Sequence, residues 1–282
     1  HYPAEFLAAV ISNQGGYYST FAYLSEGRRM GLRILPPDIN ASEWVYRGYG
    51  KAIRVGFMQI KTLREELAKN IVAERQAHGP YRSLHDFLDR VNPDVAQAKL
   101  LIKSGCVDSI AGDLTRPGLM WRLVAFHAGQ RNRYLPIPPE YSPQRQWAHE
   151  WELFGFPLSR HPLDLVKEVV GKAAYRSARE MDKYIGRTIT LFGWLVTEKI
   201  VSSKKGEPME FATFEDQTGL YDATFFPRTY RQYCHLLASN QAYLVTGLVE
   251  EHFAAVTLTV TDLRLCSSPE AQREDASLAR GL

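Results

Sequence analysis

The 282 residues suffice for two domains, and a hydrophobic content of 45% is ordinary for a globular chain without a membrane-spanning segment. A net charge of +3 indicates a nucleic-acid partner only weakly, because a folded chain can gather charge on one face while the total stays small. Three widely separated cysteines, Cys106, Cys234 and Cys266, form neither a metal-binding pair nor a disulfide framework, which favours a reducing cytoplasm. No membrane partner is expected, because no apolar run is long enough to span a bilayer.

The first part of the chain shows helical spacing interrupted by turn residues. Residues 1 to about 30 are predicted to be helical, with a break at Asn13-Gln14-Gly15-Gly16 and a second helix from about Thr20 to Met30. Residues 34–40 are expected to be extended, because residues before proline avoid the α region. After a short strand or extended entry, four more helices are predicted, over residues 63–76, from the N-cap Ser83, over 98–103 and over 116–128.

The middle of the chain has the composition of a linker. Residues from 129 to about 149 are rich in Pro, Arg, Gln and Tyr, which is typical of a stretched and partly ordered segment. A connecting segment is expected to continue to about Asp182.

Beyond the connector the hydrophobic period changes from 3.6 to 2. Strands are predicted over residues 189–196, 211–214, 221–226, 242–249 and 256–265. A helix over about 228–237 separates the third strand from the fourth, and this order is typical of an OB-fold barrel. The polar tail after Cys266 is expected to be disordered.

Two segments, residues 60–65 and 102–108, have the composition of helix-hairpin-helix elements. In such elements a tight hairpin and the N-terminus of the next helix present backbone N–H groups to a phosphate, without reading base sequence. An ordinary helical bundle with solvated basic side chains explains the same spacing as well. On the hairpin interpretation, the candidate DNA contacts are Lys61, Thr62, Arg64, Lys103, Ser104, Gly105 and Arg116.

The predicted barrel carries its own candidate contacts. Lys204 and Lys205 lie in the loop of residues 201–208, where they could follow a phosphodiester backbone, and Lys199 precedes that loop. Phe211 could stack on a base, although alternation directs most of the neighbouring rings (Phe214, Tyr221 and Phe225) into the barrel core. An excess of acidic residues along these strands argues against a broad cationic groove, so any single-strand binding is expected to be local and weak.

No arrangement of residues in the sequence predicts catalysis or metal binding. The adjacent pairs Glu65-Glu66 and Glu250-Glu251 diverge on a helix or strand, and the histidines lack metal-ligand spacing. Phosphate-binding and nucleophile motifs are missing as well. We therefore predict no catalytic residue, no metal ligand and no cofactor in this chain.

An ordered series of motifs extends over nearly the whole chain. It includes residues 1–6 and 28–31, Leu35-Pro36-Pro37-Asp38-Ile39-Asn40, residues 53–61 and 79–90, and Lys103-Ser104-Gly105. Towards the C-terminus it continues with residues 150–164, 193–195 and 204–209, and with Glu215-Asp216-Gln217-Thr218-Gly219. The series resembles the bacterial DNA polymerase III α subunit, from the end of its fingers region to its OB domain.

The resemblance implies an α+β multidomain fragment. Its expected parts are the end of the fingers (1–50), a tandem helix-hairpin-helix domain (51–128), a linker or connector (129–185), a five-stranded OB-fold β-barrel (186–268) and a disordered tail (269–282). The family is a template-directed nucleotidyltransferase of replication or error-prone repair synthesis. Its palm, with Mg²⁺-binding aspartates, is expected upstream of His1, so the fragment alone should be inactive.

The resemblance also implies partners, namely primer–template DNA, single-stranded DNA, and a sliding clamp or accessory polymerase subunits. Two departures from the family pattern bear on them. The first hairpin has Thr62-Leu63-Arg64 where the family has glycines around an apolar residue, which removes easy access to positive φ. The sequence also shows no clamp-binding motif and little chain after the barrel, which favours the error-prone, accessory branch. A protein-interaction module that docks accessory subunits is the alternative.

Overall fold

The structure, a computed structural model, describes residues 2–14, 18–130, 135–171, 173–238, 241–252 and 255–266. The chain divides into two compact units, residues 1–159 and 160–282. The predicted disordered tail lies outside the described residues.

The first unit is mainly helical. Its helices are α1 (Pro3–Asn13), α2 (Thr20–Arg29), α3 (Glu65–His78), α4 (Leu84–Val91), α5 (Val95–Lys103), α6 (Arg116–His127) and α7 (Pro143–Phe154). Five of them begin at a side chain that accepts a hydrogen bond from the backbone N–H three residues on, and the capping residues are Ser19, Ser83, Asp94, Thr115 and Ser142. Each such cap stabilises its helix by about 1 kcal/mol.

A three-stranded sheet, which the sequence did not predict, lies between α2 and α3. Its strands are β1 (Arg33–Leu35), β2 (Arg47–Tyr49) and β3 (Ala52–Arg54). Strand β3 is central, parallel to β1 and antiparallel to β2. Three residues are too few for a period-2 pattern to stand out, so only an extended conformation was predictable near them.

Two 3₁₀ helices, Phe57–Gln59 and Asp108–Ile110, lie next to the predicted hairpins. Ile60 and Leu63 are buried around the first hairpin, and Ile102 and Cys106 around the second. Burying an aliphatic side chain fully stabilises a fold by roughly 1.5–3 kcal/mol. Both hairpins are therefore held by apolar side chains directed into the unit.

The prediction of a stretched linker up to residue 149 is wrong for its second half, because Pro143–Phe154 forms α7. Ser142 caps the helix and Pro143 occupies its first turn, where a missing N–H costs nothing. His149, Leu153 and Phe154 are buried. Polar composition concealed this helix, since only one of its faces is apolar.

The second unit is a closed five-stranded barrel with flanking helices. Its strands are β4 (Thr188–Ser202), β5 (Pro208–Glu215), β6 (Leu220–Phe225), β7 (Ala242–His252) and β8 (Ala255–Leu265). They close in the order β4-β5-β6-β8-β7, with β6 and β8 parallel and all other pairs antiparallel. Helix α9 (Pro227–Tyr233) lies between β6 and β7, which confirms the predicted OB-fold order.

Part of the predicted connector contributes to the barrel unit. Helix α8 (Leu163–Val170) and a 3₁₀ helix (Ala178–Tyr184) precede β4. Ala178 and Met181 of the 3₁₀ helix pack in the barrel core together with Leu191, Phe214 and Tyr243. The core therefore begins before residue 186, where the predicted barrel domain starts.

Candidate nucleic-acid interface

The first predicted hairpin lies between the 3₁₀ helix Phe57–Gln59 and α3. The Lys61 N–H donates to the Leu153 carbonyl at 2.8 Å, and the Leu63 N–H donates to the Ile60 carbonyl at 3.1 Å. Thr62, between them, has φ 64°. The chain thus forms a tight hairpin without a glycine.

The hairpin reaches positive φ at Thr62 although it lacks the glycines that give easy access to this conformation. A left-handed conformation costs an L-residue roughly 1–2 kcal/mol, and it is unusual for a β-branched one. Gln97 of α5 compensates: its side-chain amide donates to the Thr62 carbonyl at 3.1 Å and accepts from the Arg64 N–H at 2.8 Å. These two hydrogen bonds hold the backbone on the C-terminal side of Thr62, at its own carbonyl and at the Arg64 N–H.

Lys61 and Arg64 are both exposed at this hairpin. The Arg64 guanidinium forms an ion pair with the Asp94 carboxylate, and both side chains remain about half exposed. Exposed pairs of this kind contribute about 0–1 kcal/mol, so a phosphate can compete for the Arg64 charge.

The second hairpin follows α5. Gly105 has φ 78°, its N–H donates to Ile102 O at 3.1 Å, and the Cys106 N–H donates to Leu101 O at 3.0 Å. This pair of backbone hydrogen bonds forms a Schellman motif, which ends a helix at a residue in the left-handed conformation. Ser104 is buried, with its hydroxyl donating to the Leu101 carbonyl at 3.0 Å. Ser104 therefore serves the turn rather than an exposed surface.

Arg116 lies directly against Gly105. A Cβ at residue 105 would stand 2.2 Å from Arg116 Nη2 and 3.0 Å from Asp108 Oδ2, so a side chain there would be strained by the positive φ and would displace the Arg116 guanidinium. The guanidinium binds the Asp108 carboxylate at 2.7 Å and the Lys103 carbonyl at 3.3 Å. Burial opposes its charge, but the hydrogen bond to Asp108 and the negative charges of Asp108, Glu140 and Glu150 together outweigh burial, so the pKa of Arg116 is raised.

Carboxylates also engage the other donors of the second hairpin. Lys103 Nζ contacts both Glu152 oxygens, at 2.8 and 3.0 Å. The Arg116 N–H, in the first turn of α6, donates to Glu140 Oε2 at 2.9 Å. Groups predicted to meet a phosphate are thus bound to the chain's own carboxylates.

The exposed face of the barrel presents a different arrangement. Phe211 on β5 lies opposite Lys199 on β4 and Thr224 on β6. The Phe211 side chain is 48% exposed, and Lys199 is exposed beside it. An exposed ring flanked by a cation is suited to stacking on a nucleobase while the ammonium contacts the backbone.

The other aromatic candidates face inwards. Phe214 and Phe225 are fully buried, Tyr221 is 4% exposed, and Phe214 stacks on Tyr221 with ring centroids 5.5 Å apart. The interpretation that most of these rings form the core is confirmed for these three. Phe211 differs because it lies on the opposite side of β5.

The predicted loop of residues 201–208 is a short turn. Strand β4 extends to Ser202 and β5 begins at Pro208. The Ser203 N–H donates to the Glu207 carbonyl at 2.8 Å, which closes the turn. Lys204 and Lys205 project from its exposed tip, and among the described residues neither they nor Lys199 form an ion pair.

The described part of the chain holds no group of three or more His, Cys, Asp or Glu residues placed to bind a metal ion. None of its helices has the length and apolar character needed to cross a membrane. Its three cysteines are free, with Cys106 and Cys266 buried and Cys234 exposed.

Four residues at the hairpins were not predicted from the sequence: Gln97, Asp108, Glu140 and Glu152. The sequence carries a weak signal for two of them. Asp108 ends the predicted second hairpin, and Gln97 lies three residues after Asp94, which caps α5. Glu140 and Glu152 reach the second hairpin from 24 and 49 residues away. Such contacts depend on the fold of α7 and the segment before it, which the polar composition concealed.

Comparison with known proteins shows which families this chain is similar to. Residues 31–116 match a family model for the helix-hairpin-helix motif, and residues 189–265 match one described as OB-fold nucleic acid binding domain. The DNA polymerase III subunit alpha of Treponema pallidum is 32% identical over 80% of this chain and 22% of the relative. The error-prone DNA polymerase of Symbiobacterium thermophilum is 27% identical over 94% of this chain and 30% of the relative.

The chain is a relative of the DNA polymerase III α subunit. The same relationship extends to the α subunit of Aquifex aeolicus, 28% identical over 89% of this chain and 22% of that protein. The chain spans between 22% and 30% of the length of these three relatives. The second OB-fold domain of replication protein A from Methanococcus maripaludis aligns with 30% of the chain at 15% identity and a TM-score of 0.23, too weak to carry an argument.

Proposed function

We propose that this chain is the DNA-binding part of a DNA polymerase III α-type enzyme. Its hairpins hold the primer–template duplex through phosphates, and its barrel holds single-stranded template. The observation that carries the proposal is the exposed Phe211 between Lys199 and Thr224 on the barrel face. A half-exposed aromatic ring on a small barrel contributes little to folding stability, whereas stacking on a base contributes about 1–3 kcal/mol to binding.

The duplex-binding role is supported by the two hairpins. Each places a residue with positive φ, Thr62 or Gly105, shortly before a helix. Basic side chains lie at both turns, and contacts to phosphates position DNA without reading its sequence. The role in template-directed synthesis rests on the relationship to the polymerases, whose nucleotidyl transfer would use Mg²⁺ and carboxylates of a palm domain outside this chain.

The decisive experiment compares two exposed apolar side chains on opposite sides of the same pair of strands. Phe211→Ala is expected to weaken binding of a fluorescent oligo(dT) strand about tenfold, measured by fluorescence anisotropy at low salt. Ile200→Ala is the matched control, since Ile200 is 61% exposed, pairs with Glu210, and lies on the other side of β4 from its neighbour Lys199. Equal losses in both variants, or no loss with Phe211→Ala, would contradict the proposal.

A second candidate, a protein-interaction module that docks accessory polymerase subunits, is favoured by the carboxylates at the second hairpin. Lys103 and Arg116 are bound by Glu152 and Asp108, so their charges are already neutralised in part. The double variant Lys204→Glu/Lys205→Glu distinguishes the candidates. Unchanged DNA affinity together with lost binding to a purified sliding clamp would favour docking, and the reverse pattern would favour DNA binding.

The branch of the family stays a prediction. Relatives named as replicative α subunits and as error-prone polymerases both match over most of the chain. We propose the error-prone branch because the sequence shows no clamp-binding motif. Complementation of a strain that lacks its error-prone polymerase, with the intact gene, tests this assignment by the frequency of damage-induced mutations.

A further inference from the structure

The first hairpin owes its shape to a residue of a neighbouring helix. Thr62 is held at φ 64°, a conformation that the chain reaches elsewhere mainly at glycine. Without a compensating interaction, Thr62 would be expected to relax, because its β-branched side chain is strained there.

Gln97 supplies that interaction. Its amide nitrogen donates to Thr62 O at 3.1 Å and its amide oxygen accepts from Arg64 N at 2.8 Å, so both ends of the turn are fixed by one side chain. Gln97 is only 8% exposed. A buried amide that loses its partners destabilises the fold, so the Gln97 side chain and the hairpin constrain each other.

The first turn of α5 is built to hold Gln97 in place. Asp94 caps α5 by accepting from the Gln97 N–H at 2.8 Å, and its other carboxylate oxygen pairs with the Arg64 guanidinium. The hairpin is thereby attached to α5, the helix that leads into the second hairpin.

Helix α3, which follows the hairpin, begins without a side-chain cap at Arg64. In contrast, α6 after the second hairpin has both the Thr115 cap and the Glu140 carboxylate at its N-terminus. The N–H groups in the first turn of α3 have no partner within their own helix, and the turn that precedes them is the one that Thr62 and Gln97 form.

We infer that Gln97 is a positioning residue for the first hairpin, holding left-handed Thr62 and the start of α3 in the arrangement that receives a DNA phosphate. The inference rests on the proposed duplex-binding function. In effect, a side chain of the second helix-hairpin-helix element replaces the glycines that the first one lacks.

The test is a double-variant cycle on the full chain. Gln97→Met keeps the side-chain volume and removes both hydrogen bonds. We expect it to weaken binding of a fluorescent primer–template duplex about tenfold and to make the slope of log affinity against log salt shallower by about one. In a Thr62→Gly background the same change should cost about twofold or less, because glycine reaches positive φ unaided.

Asn40 provides a matched control. Its side-chain amide likewise donates to one backbone carbonyl and accepts from one backbone N–H, both of Tyr81, each at 2.8 Å. Asn40→Leu is expected to lower the urea midpoint of unfolding while leaving duplex affinity and salt slope unchanged. If Gln97→Met does not fold, Gln97→Glu retains the acceptor for the Arg64 N–H and should give a smaller loss in the same direction.

The outcomes separate the inference from the function on which it rests. Three outcomes overturn the inference alone, provided that the wild-type chain binds duplex. The first is an unchanged duplex affinity in Gln97→Met, and the second is a loss of affinity just as large in the Thr62→Gly background. The third is an equal loss of duplex affinity with Asn40→Leu. Failure of the folded wild-type chain to bind duplex at low salt overturns the proposed duplex-binding function, and the inference with it.

Discussion

Thr62 and Gly105 reach the same left-handed region of backbone conformation by different means. Gly105 needs no support, while Thr62 is held by the Gln97 amide. Local sequence predicted the glycine correctly as a hairpin residue. It placed Thr62 in a hairpin but could not predict its positive φ, because the compensating side chain is 35 residues away.

Replacing Thr62 by glycine is expected to stabilise the first unit by about 1 kcal/mol, since the release of backbone strain exceeds the extra entropy of the unfolded chain. Urea unfolding followed by circular dichroism measures the change. Asn92→Gly is the control, because Asn92 also has positive φ, at 47°, but asparagine tolerates that region better. A gain with Asn92→Gly as large as with Thr62→Gly would count against strain at Thr62.

Glu210 on β5 gives the barrel a dependence on pH. Burial, together with the neighbouring Glu198 carboxylate, raises the pKa of Glu210 from 4.5 to about 7. The folded state therefore holds a proton that the unfolded state releases near pH 4.5. The resulting stabilisation is full below that pH and is lost as the pH rises to about 7.

Glu210→Gln keeps a neutral group at this position. We expect the variant to match the wild type near pH 5 and to exceed its stability at pH 8 by about 1–2 kcal/mol. Thermal unfolding across this range measures the difference. Parallel profiles for the two proteins would show that Glu210 is ionised in the folded barrel already at low pH.

At the scale of elements, the sequence predicted the helices and strands with long hydrophobic patterns, and it missed the short strands and the contacts between residues far apart in the sequence. The barrel strands alternate over many residues, so their order and the OB-fold followed from the sequence. The three-residue strands of the small sheet and the polar helix α7 did not, because neither shows a clear period. The hairpin residues were placed correctly, whereas their carboxylate partners required the tertiary fold.

On the proposed function, the segment before α7 competes with DNA at the second hairpin. The Glu140 carboxylate accepts from the first-turn N–H of α6, and the Pro138 carbonyl accepts from the Thr115 hydroxyl at 2.8 Å. A carboxylate at a helix N-terminus contributes about 0.3–1 kcal/mol. A phosphate that approaches the N-terminus of α6 must displace the Glu140 carboxylate.

Glu140→Gln is therefore expected to raise duplex affinity roughly two- to fivefold, which corresponds to that range of free energy. Anisotropy titrations at fixed salt measure the change. Asp182→Asn on the second unit removes one negative charge elsewhere and serves as the control. If both variants bind DNA more tightly by the same factor, the effect is one of net charge.

At the scale of the whole chain, the two units offer DNA different electrostatics. Lys103, Arg116 and Arg64 in the first unit are paired with carboxylates, whereas Lys199, Lys204 and Lys205 in the second form no ion pair with a described residue. Salt should thus act most directly on single-strand binding by the barrel.

The triple variant with Lys199, Lys204 and Lys205 changed to Gln tests this division. Three contacts to a single strand correspond to a salt slope of about −2, which the variant should lose. Its binding to blunt duplex should keep the wild-type slope. An unchanged salt slope for single-strand binding would place the salt-sensitive contacts in the first unit, and a loss of slope for duplex would show that these barrel lysines contact duplex.

The closure of the barrel limits the ways in which another protein can dock on it. Each of the five described strands is paired on both sides, and β6 completes the ring through β8. Backbone edges remain only where one neighbour stops short, as along residues 196–202 of β4, which pair with β5 but not with β7. An extended peptide can join the barrel as an added strand only along such a stretch. Elsewhere a partner must recognise side chains, and its binding should respond to surface substitutions rather than to the strand-forming tendency of a peptide.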